Sequence, residues 1–208
     1  MQVLVGNKGW RKDTKQAQRL YSAKDRMVDI IPCGDVSEDG AIHWPPDRSH
    51  RMDVRGFELA VAQGVELVVD DDLRISIAPL PVLALLKILA WWDRTLAKDA
   101  QDLVTMCRSF IDTVGQSFMD QDRHLDLYEF EDDHEHRSGH LLGRMIRSVA
   151  DEATLDLAVT IIDDGINENG NQKLVLDGEA AMGAATDDRA TRAYDLLSAL
   201  RRGLGHHP

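Results

Sequence analysis

The spacing of apolar residues changes along the chain from a strand period to a helical period. Two β-branched runs at residues 65–69 and 73–77 flank three aspartates, and this pattern predicts a β-hairpin with a short turn. Residues 26–31 predict a further strand that stops at a proline, and Ile42 with Trp44 predicts a short one. The first part of the chain is therefore expected to contain several short strands.

From residue 80 to about residue 112 the pattern is helical, in one or two pieces. Apolar residues occupy nearly every face between Val82 and Trp92, which predicts a central, buried helix. Further helical spacing follows near the C-terminus, where Gly203 is a candidate C-cap. The pattern predicts an α+β protein with three parts: a partial α+β domain at 1–112, an acidic linker at 113–136 and an all-helical region at 137–204.

Composition narrows the function classes. The 208 residues carry a net charge of −12, which argues against a general nucleic-acid coat, because phosphate binding needs clustered Lys and Arg. The longest apolar stretch, residues 79–92, is shorter than the roughly 20 residues that span a bilayer, so no membrane association is expected. Cys33 and Cys107 lie far apart without metal spacing, and we interpret both as reduced thiols in a cytoplasmic protein.

Two acidic segments can be interpreted either as metal sites or as ordinary turns and solvated segments. The aspartates at residues 70–72 resemble a metal cluster, although Asp also favours turns through hydrogen bonds to its own backbone, and we favour the turn. Residues 120–136 mix acids with histidines but show no recognised ligand spacing. An acidic linker or a solvated helix face is the favoured interpretation there, and a structural metal site is the alternative.

Two charged residues in apolar surroundings are candidates for chemistry. Asp29 lies inside an apolar run that predicts a strand, and Lys87 lies inside the apolar helix. A buried ammonium needs a partner, so Lys87 is expected to contact an anion, either a protein carboxylate or a ligand phosphate. On a helical wheel Arg94 and Lys98 share the stripe of Lys87.

At these residues the sequence resembles a known family. The segments VDIIPCGDVSEDGAIHWPP and LPVLALLKILAWWDRTLAKDAQDL, together with SGHLLGRMI, resemble the bacterial nucleotidyltransferases of the AbiEii/AbiGii toxin type. The resemblance spans roughly residues 16–204. It implies an incomplete nucleotidyltransferase-like mixed sheet with helices, related to DNA polymerase β, followed by a helical region.

The resemblance also implies an activity and its residues. Its activity would be Mg²⁺-dependent transfer of a nucleoside monophosphate from an NTP to an RNA or protein acceptor. Asp29 matches the family's third metal-binding carboxylate, with Val28 and Ile30 then facing the core. Lys87, with Arg94, would contact the NTP phosphates. The family's following acids match Asp99 and Asp102, which would support these cations by ion pairing, and a cognate antitoxin would be a partner.

The chain departs from the family at its beginning. The family's Gly-Ser loop and D-x-D pair precede the strand matched by Asp29, and the 28 residues before Asp29 contain neither motif. The similar string at residues 115–122 follows the helix, and we interpret it as a coincidence. We therefore expect a chain inactive or impaired as a transferase, with Mg²⁺ binding in doubt. Its missing strands would leave an exposed sheet edge that favours self-association.

A non-catalytic binding or interaction module is the alternative to a transferase. The helical region with its acidic linker would then provide a partner surface. The basic N-terminal stretch KGWRKDTKQAQR is either a solvated segment, which we favour, or an RNA contact.

Overall fold

The computed structural model describes residues 9–45, 47–114, 127, 133–183 and 188–205. The chain divides into two compact units, Met1–Val54 and Arg55–Pro208, which we name the N-terminal unit and the helical unit. Helices and strands both occur, so the α+β class expected from the sequence is confirmed. The boundary predicted near residue 112 does not coincide with the division between the two units.

The N-terminal unit contains five short strands in its described residues. β2 lies between β1 and β3 in an antiparallel sheet, and β4 pairs with β5 in a second antiparallel sheet. Leu20 from β2 and the apolar residues of β4 are buried. The five strands are β1 Arg11–Lys12, β2 Arg19–Tyr21, β3 Met27–Asp29, β4 Ala41–Trp44 and β5 His50–Asp53.

The helical unit begins with a short helix and the predicted hairpin. A third antiparallel pair forms from β6 and β7, and Asp72 N–H donates to Asp70 Oδ1 at 3.0 Å in the turn between them. The hairpin and its aspartate turn are therefore confirmed. The elements of this unit are α1 Phe57–Ala62, β6 Val65–Asp70, β7 Leu73–Ile77, α2 Leu80–Arg94, α3 Ala97–Val114, α4 His134–Val149, α5 Glu152–Ile166, α6 Lys173–Gly178, a 3₁₀ turn Glu179–Met182, and α7 Arg189–Leu204.

The helix predicted at residues 80–112 is present as two pieces, α2 and α3. Their apolar side chains share one buried core with α4, α5 and α7. This shared core is why the composition change near residue 113 does not mark a boundary between compact units. Among the described residues, no helix combines the length and the apolar content needed to cross a bilayer.

Helices α4 and α7 approach each other closely at glycines. A Cβ added to Gly143 would overlap Leu200 O and lie 2.8 Å from Leu204 N, and a Cβ on Gly203 would overlap His140 O. Such contacts with backbone atoms are too short for any side chain, so both positions need glycine. The buried stripe of each helix can then pack directly against the backbone of the other.

The mixed sheet implied by the family resemblance is not found in the described residues. All strand pairs there are antiparallel, and they form three separate small sheets. Sequence pattern predicts single strands but not their neighbours, because pairing depends on contacts between distant segments. Most of the predicted acidic linker, and the string at residues 115–122, lie outside the described residues. Leu127, which is described, is buried in the helical core.

Candidate functional site

The candidate site lies where α2 ends and α3 begins. Thr95 adopts a left-handed conformation with φ 49°, and its N–H closes α2 on Trp91 O at 2.7 Å. The chain then turns immediately into α3. Arg94 is thereby fixed in the last turn of α2 and Asp99 in the first turn of α3, where the helix dipoles favour a cation and an anion respectively.

Four charged side chains form one network here, which we name the Asp99 network: Lys87, Arg94, Asp99 and Asp102. The Lys87 ammonium donates to Asp99 Oδ1 at 3.0 Å and to Asp102 Oδ2 at 2.6 Å. The Arg94 guanidinium binds Asp99 in a two-point contact, with Nε 2.6 Å from Oδ2 and Nη2 2.7 Å from Oδ1. Asp99 therefore joins both cations.

Burial is very uneven across the Asp99 network. The Asp99 side chain is 1% exposed, whereas Lys87 is 29% exposed and Arg94 is 52% exposed. Burial alone would raise the pKa of Asp99, but the hydrogen bonds from Arg94 and Lys87 outweigh it and hold the pKa below its usual value. Asp99 is thus a buried, ionised carboxylate that binds two partly exposed cations.

The pKa values of the two cations, Lys87 and Arg94, are raised. Burial would lower the pKa of Lys87, but its hydrogen bonds to Asp102 and Asp99 outweigh burial and raise the pKa above its ordinary value. The hydrogen bond from Arg94 to Asp99 raises the pKa of that guanidinium. Both groups are therefore charged at neutral pH, so neither is suited to act as a general base. Lys87 and Arg94 are suited to contacting an anion.

Asp29 belongs to a different compact unit and has a different partner. It ends β3 directly opposite Arg19 of β2. The Arg19 guanidinium donates to both carboxylate oxygens, at 2.8 and 2.9 Å. This contact lowers the pKa of Asp29. The described structure therefore gives Asp29 an arginine partner that the sequence analysis did not identify.

The orientation predicted for the neighbours of Asp29 is wrong. Val28 and Ile30 were expected to face the core, but they are 41% and 38% exposed. Strand alternation shows only that Asp29 and its neighbours point to opposite faces. Which face is covered depends on tertiary packing, and among the described strands β3 is at the edge of its sheet.

The described residues do not fit a magnesium site. They contain no group of three or more His, Cys, Asp or Glu side chains that could hold a metal ion. Both oxygens of Asp29 already accept hydrogen bonds from Arg19, and two Mg²⁺ ions need several carboxylates. The acidic segment at residues 120–136 lies mostly outside the described residues. Of its described end, Asp133 caps α4 by accepting from two backbone N–H groups.

Sequence reasoning missed a second ion-pair cluster, which lies in the helical unit and is partly exposed. Glu135 accepts from Arg108 at 2.9 Å and from Arg192 at 3.0 Å, and Arg108 also donates to Ala181 O at 2.7 Å. These contacts join α3, α4, α7 and the 3₁₀ turn. The residues lie 27 to 73 positions apart, so no local pattern could have indicated them. We assign the cluster a structural role.

A cleft of about 300 Å³ lies between the start of α7 and the loop before α6. A hydrogen bond to Glu168, together with burial, raises the pKa of Tyr194 in its wall. Two carboxylates line the cleft, which disfavours binding of a phosphate there. The lining residues, none of them predicted from the sequence, are Glu168, Gln172, Ala190, Thr191, Tyr194 and Asp195.

Comparison with known proteins identifies no relative: no family model, no curated protein and no solved structure matches this chain. The assignment of function therefore depends on the geometry of the Asp99 network and on the sequence resemblance.

Proposed function

We propose that this chain is a nucleotidyltransferase-like protein in which the junction of α2 and α3 binds the phosphates of an NTP. The observation that carries the proposal is the Asp99 network. One buried carboxylate holds two cations in fixed positions, and both cations keep part of their surface in solvent. Preorganised Lys and Arg groups of this kind are typical ligands for phosphate.

Asp102 would compete with the phosphates for Lys87. Its carboxylate is 38% exposed and lies 2.6 Å from the Lys87 ammonium. The four charges of the Asp99 network sum to zero as they stand. An NTP would therefore bind when its phosphate oxygens replace Asp102 as the partner of Lys87. Asp99, being buried between both cations, would stay in place and position them.

Nucleotide transfer itself needs more than these residues supply. The family's reaction uses Mg²⁺ to activate the attacking hydroxyl and to neutralise the leaving pyrophosphate. Because the described residues do not fit such a site, we derive no metal-dependent step from them. We propose that the chain binds NTP and that its transfer to an RNA or protein acceptor is absent or strongly impaired. We place it in the cytoplasm, with a cognate antitoxin as its regulator.

A titration with a fluorescent ATP analogue tests the proposal. We expect saturable binding to the wild-type chain and a loss of at least about tenfold in affinity for Lys87→Met, as expected for one charged contact. Lys98→Met is the matched control, since Lys98 is exposed on the same helix pair and lies outside the Asp99 network. Equal losses in both variants, or no saturable binding by the wild type, would reject the proposal.

A non-catalytic binding module is the second candidate, and the Asp29–Arg19 pair favours it. A carboxylate whose two oxygens are occupied by a guanidinium serves as a sheet-stabilising ion pair and not as a metal ligand. A module of this kind would keep partner binding when Asp29 is replaced by Asn. The test is transfer of a labelled nucleotide to RNA or protein by the wild type and by Asp29→Asn. Transfer by the wild type that is abolished in Asp29→Asn would exclude the binding module and support an active transferase.

A further inference from the structure

The hairpin of β6 and β7 has one face made of large apolar side chains, with Asp70 at its turn end. In its register Val65 faces Ile77 and Leu67 faces Ile75. Strand alternation puts Leu73 on the same face as Ile75 and Ile77. These five side chains are between 41% and 61% exposed. We name this surface the apolar hairpin face.

The opposite face of the hairpin is polar. Glu66 faces Ser76 across the two strands, and the Arg74 guanidinium donates to Glu66 at 2.7 Å. Val68, paired with Arg74, is the exposed apolar residue on this side, with 55% of its surface in solvent. Such alternation is the pattern of a sheet that is covered on one side. This alternation therefore predicts that another layer of protein packs on the apolar hairpin face.

The described residues of the helical unit leave this face uncovered. Every residue of β6 and of β7 is exposed. A two-stranded hairpin alone is only marginally stable in water, and it usually needs a further layer on its apolar face. The face, with Val69 at the bulge beside it, exposes on the order of 500 Å², which is at the upper end for the largest patch on a monomer.

We propose that a second copy of this chain covers the apolar hairpin face, in a two-fold symmetric dimer. Two such faces together bury on the order of 1,000 Å², the lower limit for a specific interface. Away from its turn end, where Asp70 pairs with Leu73, the face carries no charged side chain, so two chains with a net charge of −12 each can meet there without placing like charges in contact. A two-fold contact uses the same patch on both copies.

The direction of packing follows from the turn. Residues 70–72 are three aspartates at one end of the hairpin. Antiparallel stacking of the two hairpins places these aspartate turns at opposite ends of the interface, whereas parallel stacking would bring six acids together. The two sheets would then stack about 10 Å apart, as in a β-sandwich. This inference does not depend on nucleotide binding.

Light scattering coupled to size-exclusion chromatography of the full chain tests the dimer. At about 1,000 Å² we expect a dissociation constant in the micromolar range. The wild type should therefore have twice the monomer mass of 23.3 kDa at high concentration and dissociate on dilution. Val65→Lys places an unpaired charge in the interface, and we expect it to weaken the dimer by at least about a hundredfold.

Val68→Lys is the matched control, because it makes the same change in the same hairpin on the polar face. We expect it to leave the dimer unchanged. A monomeric wild type at high concentration would overturn the proposal, and so would equal effects of the two variants. Growth into species larger than a dimer would also overturn it, since it would indicate an open contact and not a closed two-fold one. Circular dichroism melting of each variant checks that the helical unit remains folded.

Discussion

Replacing Asp99 by Asn perturbs the Asp99 network at its centre. The two side chains have the same shape, so the change removes charge without creating a cavity. An amide offers one acceptor oxygen, while its NH₂ group faces a cation that also donates. Lys87 and Arg94 then lose their shared partner, although Lys87 keeps its contact with Asp102.

The magnitude follows from the burial of the three groups. Removing one partner from a fully buried ion pair costs about 3–5 kcal/mol. Here the carboxylate is 1% exposed, but the cations are 29% and 52% exposed and can be rehydrated in part. We therefore expect a loss of about 2–3 kcal/mol. For a helical unit of this size that corresponds to a fall in melting temperature of roughly 5–10 °C.

Urea denaturation at neutral pH measures this loss, and Asp102→Asn is its control. Asp102 is 38% exposed and has one partner in the network, so its replacement should cost about 0.5 kcal/mol or less. If Asp99→Asn costs no more than Asp102→Asn, the buried carboxylate does not hold the junction of α2 and α3 together, and the reasoning is refuted.

The same pair of proteins tests the pKa argument. The folded-state pKa of Asp99 lies below its unfolded value of 3.8. Its contribution to stability is therefore complete above that pH and is lost as the pH falls through the lower, folded-state pKa. The stability difference between wild type and Asp99→Asn should thus stay constant from neutral pH to about pH 4 and shrink below it. A difference that falls between pH 7 and pH 5 would contradict this.

Two further predictions concern the helical unit and the thiols. Gly143→Ala should cost about 2 kcal/mol, because its Cβ would overlap Leu200 O. Gly170→Ala should cost less, because Gly170 is exposed and an added Cβ would lie 3.3 Å from its nearest neighbour, Asn167 O. Equal losses in urea denaturation would contradict this. Burial raises the pKa of Cys107, while Cys33 is half-buried. A thiol reagent should therefore modify Cys33 alone in the native protein and both cysteines in denaturant, and rapid labelling of both in native buffer would contradict this.

Local patterns predicted the local elements. The hairpin at residues 65–77, the helical structure from residue 80 to about residue 112 and the buried position of α2 follow from apolar spacing within one segment, whereas the division into one or two helices was left open. The close pairing of α4 with α7 was not predicted. It depends on Gly143 meeting the backbone of a helix about 60 residues further along the chain, and no periodicity carries that information.

The candidate site shows the same limit. Lys87 was expected to meet an anion because it lies in an apolar helix, and the structure supplies Asp99 and Asp102 twelve and fifteen residues further on. Asp29 has Arg19 as its partner through strand pairing. The apolar pattern predicts that Asp29 lies in a strand. The segment that pairs with this strand decides which side chain contacts the Asp29 carboxylate. The metal role expected for Asp29 came from the family resemblance and not from the strand pattern.

The most direct test of the account compares ATP binding by wild type, Lys87→Met and Asp102→Asn under identical conditions. If phosphates replace Asp102 as the partner of Lys87, removing the competing carboxylate should strengthen binding several-fold, while removing the ammonium should weaken it by about tenfold. Opposite shifts in the two variants are the predicted result. Binding that is unchanged in both, or weakened equally in both, would show that the Asp99 network is a structural ion pair and not a nucleotide site.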